Sequence, residues 1–275
     1  MKEEKVKKIV RTRYAKVAKT NSSCCASHAD CCTASPSNAD VSKMVGYSQN
    51  ELNAVPEGAN LGLGCGNPTA LASLKEGERV LDLGSGAGFD CFLAAKRVGK
   101  SGKVIGVDMT PEMLDKARRN AAKGKYENVE FRLGEIENLP VADNSVDVII
   151  SNCVINLAPN KKRVFEEAFR VLSPTGRLMV SDIVLLKPLP KAVQENVEAY
   201  SGCIAGAEFK DSYLELMRQV GFRNVKVLQE KVYPLEAIIS EPKTKEAVSR
   251  MGLTDVELKE TANSVVSISV SASKK

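Results

Sequence analysis

Eight cysteines in a chain of 275 residues with a single histidine are the side chains that most constrain its chemistry. Three stand alone in loop-like settings on separate segments: Cys65 in Leu61-Gly62-Leu63-Gly64-Cys65-Gly66-Asn67-Pro68, Cys153 after Ile149-Ile150-Ser151-Asn152, and Cys203 in Ser201-Gly202-Cys203-Ile204-Ala205-Gly206. Thiolates prefer soft, polarizable partners, so three converging thiols suit a soft electrophilic ion or metalloid. Structural zinc takes four ligands in compact C-x-x-C pairs, and none of these three has a partner at that spacing. Three unrelated free cysteines is the competing reading. Cys91, in the apolar run Cys91-Phe92-Leu93-Ala94-Ala95, reads as a small buried hydrophobe. Cys24, Cys25, Cys31 and Cys32 surround His28, and Cys25-x-x-His28-x-x-Cys31 could hold zinc; the alternative is a thiol-rich tail with no fixed site.

A second constellation suits a nucleotide. The apolar run Arg79-Val80-Leu81-Asp82-Leu83 leads into Gly84-Ser85-Gly86-Ala87-Gly88, a strand turning sharply into a helix. Glycines there let the backbone take strained dihedrals and press close to a ligand, and Asp82 can meet a cationic group. A dinucleotide fingerprint needs glycine or alanine where this chain has Phe89, which argues against a nicotinamide or flavin. Asp108 ends a second apolar strand about 20 residues further on, the place of a ribose-binding carboxylate. Thr110, Pro111 and Glu112 then open a helix as N-cap, first helical residue and first-turn acid.

The elements that must carry these groups alternate. Strands are predicted at 79–83, 103–108, 128–133, 146–151 and 176–184, with helices at 89–98, 111–122 and 160–172 between them. That alternation predicts an α/β fold with a doubly wound, mostly parallel sheet. Two further helical stretches follow near 191–200 and 209–219, then strands near 222–232 and 265–271. In the last, Val266, Ile268 and Val270 alternate with serines, as for a strand with one buried face. The predicted organisation is an N-terminal basic helix and Cys-rich loop over 1–46, a core over 47–186, and a C-terminal helical and strand extension over 187–275 that completes the thiol site and the sheet. Residues 20–40 read as a loop, whereas Val6, Ile9, Val10, Tyr14 and Val17 recur at helical spacing, predicting a helix across the body with its lysines outward.

Charge and composition exclude several roles. Residues 1–20 hold eight Lys or Arg against two Glu, a balance of +6 that leaves −1 for the rest of a chain totalling +5. A nearly neutral body argues against nucleic acid. No apolar run approaches the roughly 20 residues that span a bilayer, and the N-terminus is too charged for a signal peptide, so a cytoplasmic protein without membrane partners is predicted. Cysteines in that reducing compartment are ligands, redox groups or core residues rather than a disulfide framework.

The acid and alternating glycines at Asp82 to Gly88 look like the first motif of the S-adenosylmethionine-dependent methyltransferases. The glycine-cysteine loop 61–68, Val80 to Phe92, Gly106 to Met113, Gly134 to Pro140 and Ile150 to Leu157 together resemble the arsenite methyltransferases, over about Tyr47 to Phe222. The resemblance implies a class I S-adenosylmethionine-dependent fold and methyl transfer to thiolate-bound trivalent arsenic, for detoxification. It implies arsenic ligation by Cys65, Cys153 and Cys203, and disulfide exchange by an N-terminal cysteine, for which this chain offers four candidates, Cys24, Cys25, Cys31 and Cys32, the last two carried as site residues. It further implies that Asp82, Gly84, Ser85 and Gly86 hold the amino-acid part of S-adenosylmethionine, Asp108 the ribose, and Met109 with Ile136 the adenine, with Glu135 and Asn152 as further candidates. Arsenite, methylated trivalent arsenicals and a thiol reductant such as thioredoxin or a small thiol are the implied partners. A methyltransferase with a carbon or oxygen acceptor would need the nucleotide motifs but not the thiols. A non-catalytic metalloid-binding protein would need the thiols but not the acids and glycines.

Overall fold

A computed structural model describes residues 3–20, 37–233 and 252–275. Its frame is a seven-stranded sheet. The strands are β1 (Arg79–Leu83), β2 (Lys103–Asp108), β3 (Val129–Leu133), β4 (Val146–Asn152), β5 (Leu172–Leu185), β6 (Arg223–Val232) and β7 (Val265–Ser273), in the spatial order β3-β2-β1-β4-β5-β7-β6. The first five pair in parallel, and β7 runs antiparallel between β5 and β6. The expected α/β class and mostly parallel sheet are borne out, and residues beyond 187 supply two strands to the same sheet.

Period-two alternation sends successive side chains to opposite faces, and here both faces are covered. Leu81, Leu83 and Ile149 join one core with Phe165 of α7 (Lys161–Val171) and Tyr213 of α10 (Lys210–Val220). Val80, Val148 and Ile150 join the other, with Phe92 of α5 (Phe89–Val98) and Leu114 of α6 (Pro111–Gly124). All the parallel strands therefore end at one sheet edge, where an open α/β fold binds ligands.

Several local readings change. Residues 37–40 of the expected loop belong to Ser37 and α2 (Asn38–Met44), where Ser37 and Asp40 close a reciprocal capping box. The stretch 191–200 is two short helices, α8 (Lys191–Gln194) and α9 (Val197–Ser201). Thr110 does sit at the N-cap of α6 but makes no side-chain cap bond; its side chain turns to Asp108. The serine face of β7 is not a solvent face: Ser269 Oγ lies 3.1 Å from Ser181 Oγ, and Ser267 Oγ donates to the Cys65 carbonyl at 2.7 Å. In α1 (Glu3–Thr20), Val6, Val10 and Val17 pack inward as expected, but Lys7 also turns in, pairing with Glu135 at 2.6 Å and Glu137 at 3.3 Å. No helix among the described residues is long and apolar enough to cross a membrane.

Candidate functional site

The turn after β1 holds the nucleotide constellation. Gly84, Gly86 and Gly88 all have positive φ, at 69°, 52° and 93°. A Cβ on Gly84 would fall 2.4 Å from Val154 Cγ2, whereas one on Gly86 would meet no protein atom within 4 Å. The turn thus packs on one side and leaves backbone facing open space on the other. That space is a cleft of about 1080 Å³, solvent-filled mouth included, lined by Asp82, Gly84, Ser85, Gly86, Asp108, Met109, Ile136 and Asn152. Asp108 accepts the backbone N–H groups of Gly86 at 2.9 Å and Thr110 at 2.8 Å, which fixes its carboxylate between the glycine turn and α6. Burial raises its pKa against those bonds.

Asp82 is also buried, and burial together with the nearby Asp90 charge pushes its carboxyl well above the usual range. A cationic ligand group beside it would offset that cost. Cys91 lies in the core as expected, but its thiol also donates to Asp82 Oδ2 at 3.2 Å, a polar contact the apolar run did not announce. Glu135 alone of the nine cofactor candidates does not line the cleft: Lys7 and Arg11 hold its carboxylate at 2.6 and 3.4 Å. The strand-end pattern around it could not show that a helix 128 residues earlier supplies the cations.

Cys65, Cys153 and Cys203 come together beside this cleft in one buried cluster. The Cys65 thiol donates to the Ser181 carbonyl at 3.5 Å, and Cys203 Sγ donates to the Cys153 carbonyl at 3.0 Å. Cys153 also borders the cleft. It directly follows β4, with its N–H bonded to the Ser181 carbonyl at 2.8 Å. Cys203 closes the turn after α9, its N–H on the Tyr200 carbonyl at 3.0 Å. Burial pushes the Cys65 and Cys153 thiols up, so both rest as neutral SH groups. The other four cysteines, including Cys31 and Cys32, and His28 lie outside the described residues.

Three groups at the site were not singled out from sequence. Asp182, fully buried on β5, has a carboxylate oxygen within 4.8 Å of the Cys65 and Cys153 sulfurs, which are as close to each other. Its oxygens accept from Asn156 Nδ2 and Ile183 N at 2.9 Å and from Tyr213 Oη at 3.2 Å, while burial pushes it up to about 7. Asp90 and Tyr47 are the others: Tyr47 Oη donates to Asp90 Oδ1 at 2.7 Å, and Asp90, raised by burial to about 6, takes Asn152 Nδ2 at 3.1 Å. The available signal was position, since Asp90 follows the glycine turn and Asp182 interrupts the apolar end of its strand between Val180 and Ile183, beside Ser181.

The methyltransferase domain family matches residues 74–237. An arsenite methyltransferase of Halobacterium salinarum is 51% identical over 231 residues, covering 82% of this chain and 59% of that protein. One from Aquipseudomonas alcaligenes is 40% identical over 200 residues, covering 70% and 57%. The chain thus spans well under two thirds of the length of these relatives. Among solved structures, the arsenic(III) S-adenosylmethionine methyltransferase of Chlamydomonas reinhardtii superposes with a TM-score of 0.62 at 33% identity, covering 87% of this chain and 74% of that one. The family match takes in the glycine turn, both strand-end acids and two of the three clustered thiols, Cys153 and Cys203, and the chain belongs to the methyltransferase domain family.

Proposed function

We propose that this chain methylates trivalent arsenic, with S-adenosylmethionine as methyl donor. The observation that carries the reading is the convergence of three buried thiols from separate segments onto the edge of a cleft lined by strand-end acids and a glycine turn. The cleft fits the donor: Ser85 Oγ is buried there with no hydrogen-bond partner among the described residues, Gly86 leaves open space, and burial with the Asp90 charge raises the Asp82 carboxyl, a cost that a bound ammonium would offset. Asp82 would take the ammonium, the Gly84 to Gly86 turn the amino-acid part, Asp108 the ribose hydroxyls, and Met109 with Ile136 the adenine. When bound there, S-adenosylmethionine supplies an electrophilic sulfonium methyl group.

Neutral thiols suit arsenite. As(OH)₃ forms three As–S bonds to Cys65, Cys153 and Cys203 while three As–OH bonds break, and each departing hydroxide leaves as water with a thiol proton. Arsenic so held is pyramidal, with its lone pair away from the sulfurs. Cys153, which borders the cleft, directs the cluster toward the donor site, so the protein's contribution is alignment rather than proton abstraction. A methyl group supplied to that lone pair would leave the donor as S-adenosylhomocysteine and would formally oxidise arsenic to the pentavalent state. Two thiols return it to the trivalent state and end as a disulfide, and an external thiol reduces that disulfide. Cys31 and Cys32 are the sequence candidates for the exchange, and a reducing cytoplasm is the setting this turnover needs.

Incubation with arsenite, S-adenosylmethionine and a thiol reductant, followed by arsenic speciation, tests the reading. Methylated arsenicals in stoichiometric excess over enzyme are expected. Unmethylated arsenite alongside normal donor binding would overturn it.

A further inference from the structure

Asn152 ends β4, one residue before Cys153 and 87 positions from Cys65. Its Oδ1 accepts the Cys65 N–H at 3.0 Å and its Nδ2 donates to the Gly66 carbonyl at 2.9 Å, so one carboxamide pins the backbone on both sides of the Cys65 thiol. The fit is tight. A Cβ on Gly64 would lie 2.6 Å from Asn152 Nδ2, and one on Gly66 would lie 2.6 Å from Ser181. Neither neighbour of Cys65 can carry a side chain while the loop lies flush on the strand ends.

The amide is itself oriented. Nδ2 also faces Tyr47 Oη at 2.9 Å and Asp90 Oδ2 at 3.1 Å, and Tyr47 Oη in turn donates to Asp90 Oδ1. A carboxamide donates only through nitrogen and an ionised carboxylate only accepts, so Asp90 holds Nδ2 on its own side and leaves Oδ1 for the Cys65 N–H. Turned over, the amide would set its oxygen against Asp90 and its NH₂ against the Cys65 N–H. Tyr47 is held by an edge contact with Phe89, ring centroids 4.8 Å apart.

We propose that Asn152, oriented by Asp90 and Tyr47, is a positioning residue that fixes the Cys65 thiol against Cys153 before any ligand arrives. Asn152 is thereby reassigned from holding the cofactor to ordering the thiol loop; the consequence for arsenic rests on the function proposed above. A loop ordered in advance leaves less to immobilise on binding, so the effect falls on thiol-ligand affinity.

The test uses the full chain with Asn152→Ala, Asn152→Asp and Tyr47→Phe. Site-resolved iodoacetamide alkylation is measured without ligand, and calorimetry gives affinities for arsenite and for S-adenosylhomocysteine. Both Asn152 variants are expected to speed Cys65 alkylation at least tenfold while core Cys91 stays protected, and to weaken arsenite at least tenfold against no more than threefold for S-adenosylhomocysteine. Tyr47→Phe, which keeps the ring and its contact with Phe89, should give two- to threefold effects of the same pattern. Should the Asn152 variants also expose Cys91, they have lost the fold and the Tyr47→Phe pattern decides. Unchanged Cys65 alkylation, or a loss confined to S-adenosylhomocysteine, overturns the proposal. Failure of the wild type to bind arsenite would instead sink the function reading, while the alkylation rates still decide the role of Asn152.

Discussion

The two halves of the site solve the same backbone problem in opposite ways. The nucleotide half needs a chain that reverses through left-handed dihedrals, and it uses glycine at 84, 86 and 88. The thiol half also places residues in that region, yet they are Cys153 at φ 59° and Cys203 at φ 65°. A side chain with a Cβ pays a steric penalty there, of order 1–3 kcal/mol each. Glycine would remove the penalty and the sulfur with it. Strain is thus tolerated at the two cysteines proposed as arsenic ligands and relaxed at the glycines, where the proposed ligand needs only backbone.

That contrast can be broken from either side. The largest expected effect is on the thiol half's buried acid. A carboxyl held at about 7 in the fold and near 3.9 in the unfolded chain favours folding fully below pH 4 and loses that contribution as pH rises through 7. Asp182→Asn should therefore gain stability relative to wild type between pH 4 and pH 8, by up to about 4 kcal/mol. A flat difference in denaturant midpoints across that range would contradict it. Next comes Gly84→Ala, where a new Cβ would overlap Val154 in a backbone that disfavours it; a loss of about 3 kcal/mol and of donor binding is expected, read by thermal melts and calorimetry. Equal stability would show that the turn relaxes freely.

Asp108→Ala should cost about 1.5–3 kcal/mol of S-adenosylmethionine affinity and leave arsenite affinity nearly intact. Parallel losses of both would erase the distinction between the halves. The smallest effect is at the rim, where Lys7→Ala breaks the pairs with Glu135 and Glu137; about 0.2–1 kcal/mol is expected, shrinking with added salt, and a salt-independent loss would point to packing instead.

The two halves also differ in how legible they were. Asp82, the glycines and Asp108 sit within 27 positions, so one strand, one turn and one strand end carry the information locally. The α/β class and mostly parallel sheet followed from the alternation, though not the strand order, and six of the predicted strands begin and end within a residue or two of their observed bounds, while β5 starts four residues early. The cysteines were found by residue type, but their support was not. Asn152 holding the Cys65 loop, the Ser181 carbonyl taking the Cys65 thiol and Ser267 of β7 holding the Cys65 carbonyl are contacts spanning 87, 116 and 202 positions, and periodicity records only that β7 has two kinds of face. The surroundings of Glu135 were hidden for the same reason, because its cations come from α1.

The central claim is that Cys65, Cys153 and Cys203 make one arsenic site. X-ray absorption at the arsenic edge on the arsenite-loaded chain tests it most directly, with the three single serine variants alongside. Three sulfur neighbours and no oxygen are expected in the wild type, with one sulfur replaced by oxygen in each variant that still binds. Fewer than three sulfurs in the wild type, or the same coordination in all four proteins, would contradict the account.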